Sequence, residues 1–116
     1  MQTDIDKVII VEGTSDKKKI MPLILEKVEI LCTNGTLSTE KLDEWAETYH
    51  ETDMYILVDA DDSGEKLRKR LTREFPFARH IFIDKMYKEV AAAPSDYLAS
   101  LLMSSDIEVD TAYLSR

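Results

Sequence analysis

The chain has 116 residues, 44% of them apolar, with a net charge of −8 and an isoelectric point near 4.7. That is enough for one compact domain with a real core, and the apolar fraction is that of a globular chain, not a disordered one. It also excludes a protein that holds nucleic acid by net charge alone, and no apolar run approaches the ~20 residues of a membrane span.

The N-terminal stretch Met1-Gln2-Thr3-Asp4-Ile5-Asp6 is acidic and lacks the charged and apolar regions of a signal peptide. A single cysteine, Cys32, excludes an internal disulfide, and together these features predict a cytoplasmic protein. Cys32 itself reads as a small buried hydrophobe in a strand.

The first strand is predicted over Lys7–Val11 and stops abruptly on Glu12-Gly13. A helix follows near Thr14-Ser15-Asp16, residues suited to an N-cap, with Ile20, Leu23 and Ile24 on one face. Pro22 should kink or shorten it. The second strand is predicted over Val28–Cys32, followed by the turn Asn34-Gly35. The second helix opens at Ser38-Thr39-Glu40 and places Leu42, Trp45, Ala46 and Tyr49 at helical spacing, with Trp45 as its anchor on the sheet.

The third strand, Met54–Asp59, ends in Asp59-Ala60-Asp61-Asp62-Ser63-Gly64. Asp62 and Glu65 have capping-box spacing for a third helix that buries Leu67, Leu71 and Phe75 and ends before Pro76. A fourth strand is predicted over His80–Asp84. A fourth helix, with Ser95 as N-cap, turns Leu98, Leu101 and Leu102 inward. The tail from Ser104 to Arg116 shows no clear pattern.

Alternating strands and helices argue for a single α/β domain over residues 1–116, with its core at about 5–102 and a C-terminal tail over 104–116. The sheet is predicted to be four-stranded and parallel, with right-handed crossovers and helices on both faces. Short β-branched runs of this kind read as strands buried on both sides.

Carboxylates gathered at the carboxyl ends of such strands repel one another unless a cation lies between them. Every candidate ligand is a hard oxygen, which points to Mg2+, with Mn2+ as a substitute. Ligands of open α/β sheets sit at the switch point of strand order. Glu12 meets Asp59 and Asp61 only if the first and third strands are neighbours, which demands the order 2-1-3-4.

A Val-Glu-Gly strand end, then Asp-x-Asp-x-x-Gly at a second strand end about fifty residues on, resembles the Toprim domain. This Rossmann-like domain is shared by bacterial primases, topoisomerases, recombination mediators, overcoming-lysogenization-defect nucleases and the ribonuclease that matures small ribosomal RNA. The resemblance covers about residues 5–102 and looks like a small free-standing Toprim protein. It implies that Glu12 is the family's general acid/base or metal-site glutamate and that Asp59 and Asp61 hold magnesium. It also implies that Gly13 and Gly64 let the backbone turn close to the site. Asp16 stands where many members carry a further acidic residue.

Asp62 and Asp16 are additional site candidates, although Asp62 also reads as the helix cap and Asp16 as an exposed first-turn carboxylate stabilised by the helix dipole. Lys17, Lys18, Lys66, Lys69, Arg70 and Lys85 are candidate phosphate contacts, set against their reading as solvated helix faces. Lys17-Lys18-Lys19 and the set Lys66, Arg68, Lys69, Arg70 and Arg73 form two basic clusters on helices that begin beside the acidic site.

The expected function is Mg-dependent phosphoryl transfer on nucleic-acid phosphodiesters, most like the nuclease members. The partner is DNA or RNA, bound weakly by the domain alone, and a protein partner would supply basic surface. The alternative is a non-catalytic metal- or nucleic-acid-binding accessory module. A phospho-acceptor receiver domain fits less well, because the first strand ends in Glu12-Gly13 instead of an acidic pair. His50 and His80 have no ligand-like spacing, and no dinucleotide or P-loop motif occurs.

Overall fold

The computed structural model describes residues 5–35 and 37–114. The N-terminal reading at positions 1–4 and the last two residues of the tail lie outside this range. The elements are β1 (Lys7–Val11), α1 (Thr14–Ile20), β2 (Val28–Cys32), α2 (Thr39–Thr48), β3 (Asp53–Leu57), α3 (Asp62–Glu74), β4 (Arg79–Ile81) and α4 (Ser95–Ser104). Short 3₁₀ turns occupy Met21–Leu23, Val90–Ala92 and Thr111–Tyr113.

The sheet order is β2-β1-β3-β4, and every pairing is parallel. The order 2-1-3-4 demanded by the carboxylates is therefore the order observed. Lys7 lies opposite both Val28 and Asp53, and Ile10 opposite both Leu31 and Ile56.

Strand alternation sorts the core into two layers. Ile9, Val11, Tyr55 and Leu57 face one side, packed with Ile20 of α1 and Leu98 and Leu102 of α4. Val8, Ile10, Met54 and Ile56 face the other, packed with Leu42 and Trp45 of α2 and Leu71 of α3. The winding direction reverses between β1 and β3, so connections of one hand place α1 opposite α2 and α3. Trp45 is buried, as its role of anchor requires.

Several boundaries differ from expectation, each for a local reason. β3 runs Asp53–Leu57, not Met54–Asp59, and β4 runs Arg79–Ile81, not His80–Asp84. β4 pairs only with β3, and that ladder ends where Leu57 meets Ile81. Asp59 and Asp61 therefore lie in a loop beyond the strand. Pro22 does end α1, and the chain tightens into the 3₁₀ turn Met21–Leu23, where proline's missing N–H costs nothing. The N-cap of α4 is Pro94, one residue before Ser95.

The tail is also better integrated than its sequence suggests. Ile107 and Val109 are buried. Val109 bridges Ile24, Leu25 N–H donates to Glu108 O, and Asp110 N–H donates to Leu23 O. Glu26 ties this segment to the sheet, accepting from both Lys7 Nζ and Glu108 N–H. Among the described residues no helix is long and apolar enough to cross a membrane.

Candidate functional site

β1 delivers Glu12 to the carboxyl edge of the sheet. Its position is fixed by main-chain bonds that continue past the strand: Thr33 N–H donates to Val11 O, and Asn34 N–H to Glu12 O at 2.7 Å. Asn34 (φ 53°) and Gly35 (φ 87°) then turn the chain away in the left-handed region that glycine and asparagine tolerate.

The side chain of Glu12 reaches across the switch point. Its Oε2 accepts a hydrogen bond of 2.8 Å from Asp59 N–H, linking the two acidic strand ends directly. Asp59 Oδ1 accepts from Val90 N–H at 2.9 Å, and Asp61 Oδ1 from Gly64 N–H at 2.7 Å. Each of the three carboxylates is thus held through one oxygen by a backbone N–H. The second oxygen of each makes no hydrogen bond among the described residues.

Asp61, not Asp62, is the N-cap of α3. Its extended backbone (φ −143°, ψ 177°) precedes the helix, while Asp62 is already the first helical residue and exposed. At α1 the N-cap is Gly13, which has no side chain to offer, so Asp16 Oδ2 reaches back to accept Gly13 N–H at 3.0 Å. That inward turn buries Asp16 to 6% exposure, against the expectation of an exposed first-turn carboxylate. Gly13 is extended, and a Cβ there would meet nothing nearer than 3.9 Å, so no crowding within the chain demands glycine. Gly64 differs: a Cβ would lie 2.0 Å from Asp59 O. Only glycine lets α3 start this close to Asp59.

Electrostatics follow from this packing. The Glu12 carboxyl is pushed above its ordinary pKa, chiefly by burial. The Asp59 N–H opposes that rise, while Asp59, Asp61 and Asp16 add to it through their charges. Asp16 is raised too, again first by burial, with Gly13 and Ala91 N–H groups opposing and Asp59 adding. Asp16 therefore belongs electrically to the same cluster.

The candidate cations divide into separate groups. Lys66 and Arg70 line a cleft with Glu12, Thr33 and Ser63. Lys85 lines a groove of about 600 Å³ with Asp59, Asp61 and Asp62. Lys17 lies near Cys32, whose thiol burial raises and Lys17 lowers, and Lys18 is exposed. Lys69 lines another groove with Arg73, His80 and Phe82.

Arg68 does not belong to an exposed basic face at all: it is 6% exposed. It donates to Ile56 O and Ile81 O, clamping the carboxyl ends of β3 and β4 together. The signal that sets it apart from the basic cluster is its register, since Gly64, Arg68, Leu71 and Phe75 fall on one inward stripe of α3. Val90 and Thr33 left no comparable signal, since their roles run through main-chain N–H and a hydroxyl bond to Glu12 O.

Among the described residues no three Asp, Glu, His or Cys side chains converge as a ready metal cage. The donor chemistry fits magnesium better than zinc or calcium, because magnesium takes one or two carboxylates and completes its shell with water and phosphate. The free second oxygens of Asp59 and Asp61 are the residues' offer to such an ion, with Glu12 adjacent.

Relatives share both fold and sequence. Uncharacterized protein YusF of Bacillus subtilis (strain 168) is 52% identical over 113 residues, covering 97% of this chain and 77% of that protein. Ribonuclease M5 1 of Ligilactobacillus salivarius (strain UCC118) is 37% identical over 82 residues, 70% of this chain but only 43% of the ribonuclease. The solved structure of a small TOPRIM domain protein from Bacillus stearothermophilus matches with a TM-score of 0.91 and 47% identity, covering 98% of this chain and 97% of that one. The family model of the Toprim domain spans residues 7–90, which hold all four strands and both acidic strand ends, and the chain belongs to that family.

Proposed function

We propose that this protein carries out magnesium-dependent phosphoryl transfer on nucleic-acid phosphodiesters, with manganese as a substitute ion. Asp59 and Asp61 hold the metal and Glu12 serves as general acid/base beside it. The observation that supports this reading is the hydrogen bond from Asp59 N–H to Glu12 Oε2, which brings the carboxylates of the two strand ends together. Magnesium, when bound, supplies charge neutralisation on phosphate oxygens.

The chain's own residues account for the rest. Burial lifts the Glu12 carboxyl toward the range where it exchanges a proton usefully, a role worth roughly 10² to 10⁴ in rate. Lys66 and Arg70 flank Glu12, and Lys85 flanks the aspartates, so a phosphate can be oriented from either side. The ribonuclease M5 similarity makes RNA the first substrate to test, and DNA the second.

Labelled RNA and DNA incubated with magnesium provide the test. Wild-type protein is expected to cleave, Glu12→Gln to lose at least 100-fold in rate, and Asp59→Asn/Asp61→Asn to lose metal binding by calorimetry. Metal binding without cleavage of either nucleic acid would replace this reading with a non-catalytic accessory module. The net charge of −8 favours that second reading, since it weakens nucleic-acid binding without a partner that brings basic surface.

A further inference from the structure

Phe82 follows the edge strand β4 and is 59% exposed, although its neighbours Ile81 and Ile83 are buried. The Arg68 guanidinium lies over its ring, 4.1 Å from the centroid, and His80 stacks beside it at 5.9 Å. Arg68 cannot swing away, because Ile81 O holds it at 3.0 Å. Arg68 has only donors, so His80 Nδ1 must accept its bond of 2.9 Å. The imidazole proton then sits on Nε2 and points to Thr72 Oγ1, whose hydroxyl donates to Arg68 O at 2.7 Å. This closed set of bonds holds Arg68 and His80 in place, and the Phe82 ring that packs against them still presents most of its surface to solvent.

Phe82 and Arg68 line two grooves at once. One contains Asp59, Asp61 and Lys85; the other contains Lys69 and Arg73. Lys69 and Arg73 stand at i, i+4 on α3 and make no ion pair among the described residues. Like charges at that spacing destabilise a helix slightly. In a chain of net charge −8, two unpaired cations beside an exposed ring mark a surface complementary to an anion that also carries aromatic faces.

We propose that Phe82 is a stacking platform for one base of a single-stranded nucleic acid. The phosphates of that strand lie against Lys69 and Arg73, and the strand leads over Phe82 into the Asp59–Asp61 groove. The last step rests on the phosphoryl-transfer reading above; the platform itself does not. A paired duplex offers no free base face to such a ring, so the strand preference is part of the proposal.

Fluorescence anisotropy tests this with a labelled 12-nucleotide RNA or DNA single strand and its duplex, in EDTA at low salt, on the full chain. Phe82→Leu keeps an apolar cover over Arg68 but removes the π face. It is expected to weaken single-strand binding by roughly 5- to 100-fold and leave duplex binding unchanged. Phe82→Trp should restore binding, and its new indole fluorescence should be quenched by the single strand only. Lys69→Ala/Arg73→Ala should flatten the salt dependence by about 0.7 per cation removed.

Equal single-strand affinity in wild type and Phe82→Leu, equal loss on duplex, or no single-strand binding by wild type would each overturn the platform. Recruitment of an acidic peptide in place of nucleic acid would do the same. Metal-dependent cleavage that survives in Phe82→Leu with unchanged affinity would sink the platform and leave the catalytic reading standing. Phe82-dependent binding without any turnover would do the reverse.

Discussion

The two acidic strand ends look alike in sequence and behave differently in the fold. Each has a carboxylate after a buried strand and a glycine at or near the start of the helix that follows. At the β3 end, Asp61 spends one oxygen capping α3, and Gly64 is crowded against Asp59 O. That half is built for position, with the cap made locally and Asp59 held from outside by Glu12 and Val90. At the β1 end, Glu12 and Asp16 are drawn in from water, both with raised pKa, and Gly13 is uncrowded. That half carries an electrostatic cost which a bound cation would relieve. One end is set by close packing and capping, and the other by carboxylates held away from water.

The largest expected effect tests the geometric half. Gly64→Ala forces a Cβ into Asp59 O and should cost about 3 kcal/mol, the upper range for overpacking. Alanine's better helix propensity returns only ~1 kcal/mol of that. Gly13→Ala should cost under about 1 kcal/mol, since the main loss there is a good capping residue. Urea denaturation of both variants checks the contrast, and similar losses would erase the distinction between the two ends.

A smaller effect separates charge from cap. Asp61→Ala should cost about 1 kcal/mol through the lost bond to Gly64 N–H, whereas Asp61→Asn keeps the cap and should be near neutral. Both should weaken magnesium binding by calorimetry. Glu12→Gln still accepts from Asp59 N–H and sheds the repulsion, so its metal-free melting temperature should match or exceed wild type while turnover falls. A large drop in that temperature would show that the Glu12 charge holds the site together.

The fold was legible because strand periodicity and helix spacing gave the alternating elements, and the meeting of two acidic loops required one strand order. The limits of β3 and β4 were not, since apolar residues such as Ile83 stay buried after their ladder has ended. The cap at Asp61 was missed because neighbouring aspartates share one composition, and only backbone direction selects between them. Asp16 looked exposed until Gly13 proved to be the cap. Arg68 was hidden among four other cations of α3, although its register on the apolar stripe set it apart. Charge type told where a residue would be found less well than its position in the helical repeat.

The smallest effect is the pH dependence, and it distinguishes the two kinds of titratable group that lie wholly or partly out of water. Glu12 and Asp16 have raised pKa values, so between the unfolded value of about 4 and the folded one the native state binds more protons. Their contribution is therefore fully present below about pH 4 and is lost as pH rises through the folded values. His80 runs the other way. Burial first, and then the Arg68 charge, lower its pKa. Its contribution is present above about pH 6.5 and is lost as pH falls through the folded value. Denaturation in EDTA from pH 4 to 8 should show the acidic loss in wild type and a smaller one in Glu12→Gln. Magnesium should restore wild-type stability near pH 7, because it favours the ionised carboxylates that burial disfavours. A wild-type curve indifferent to magnesium, with the acidic slope intact, would mean that the cost at the β1 end is not one a cation relieves.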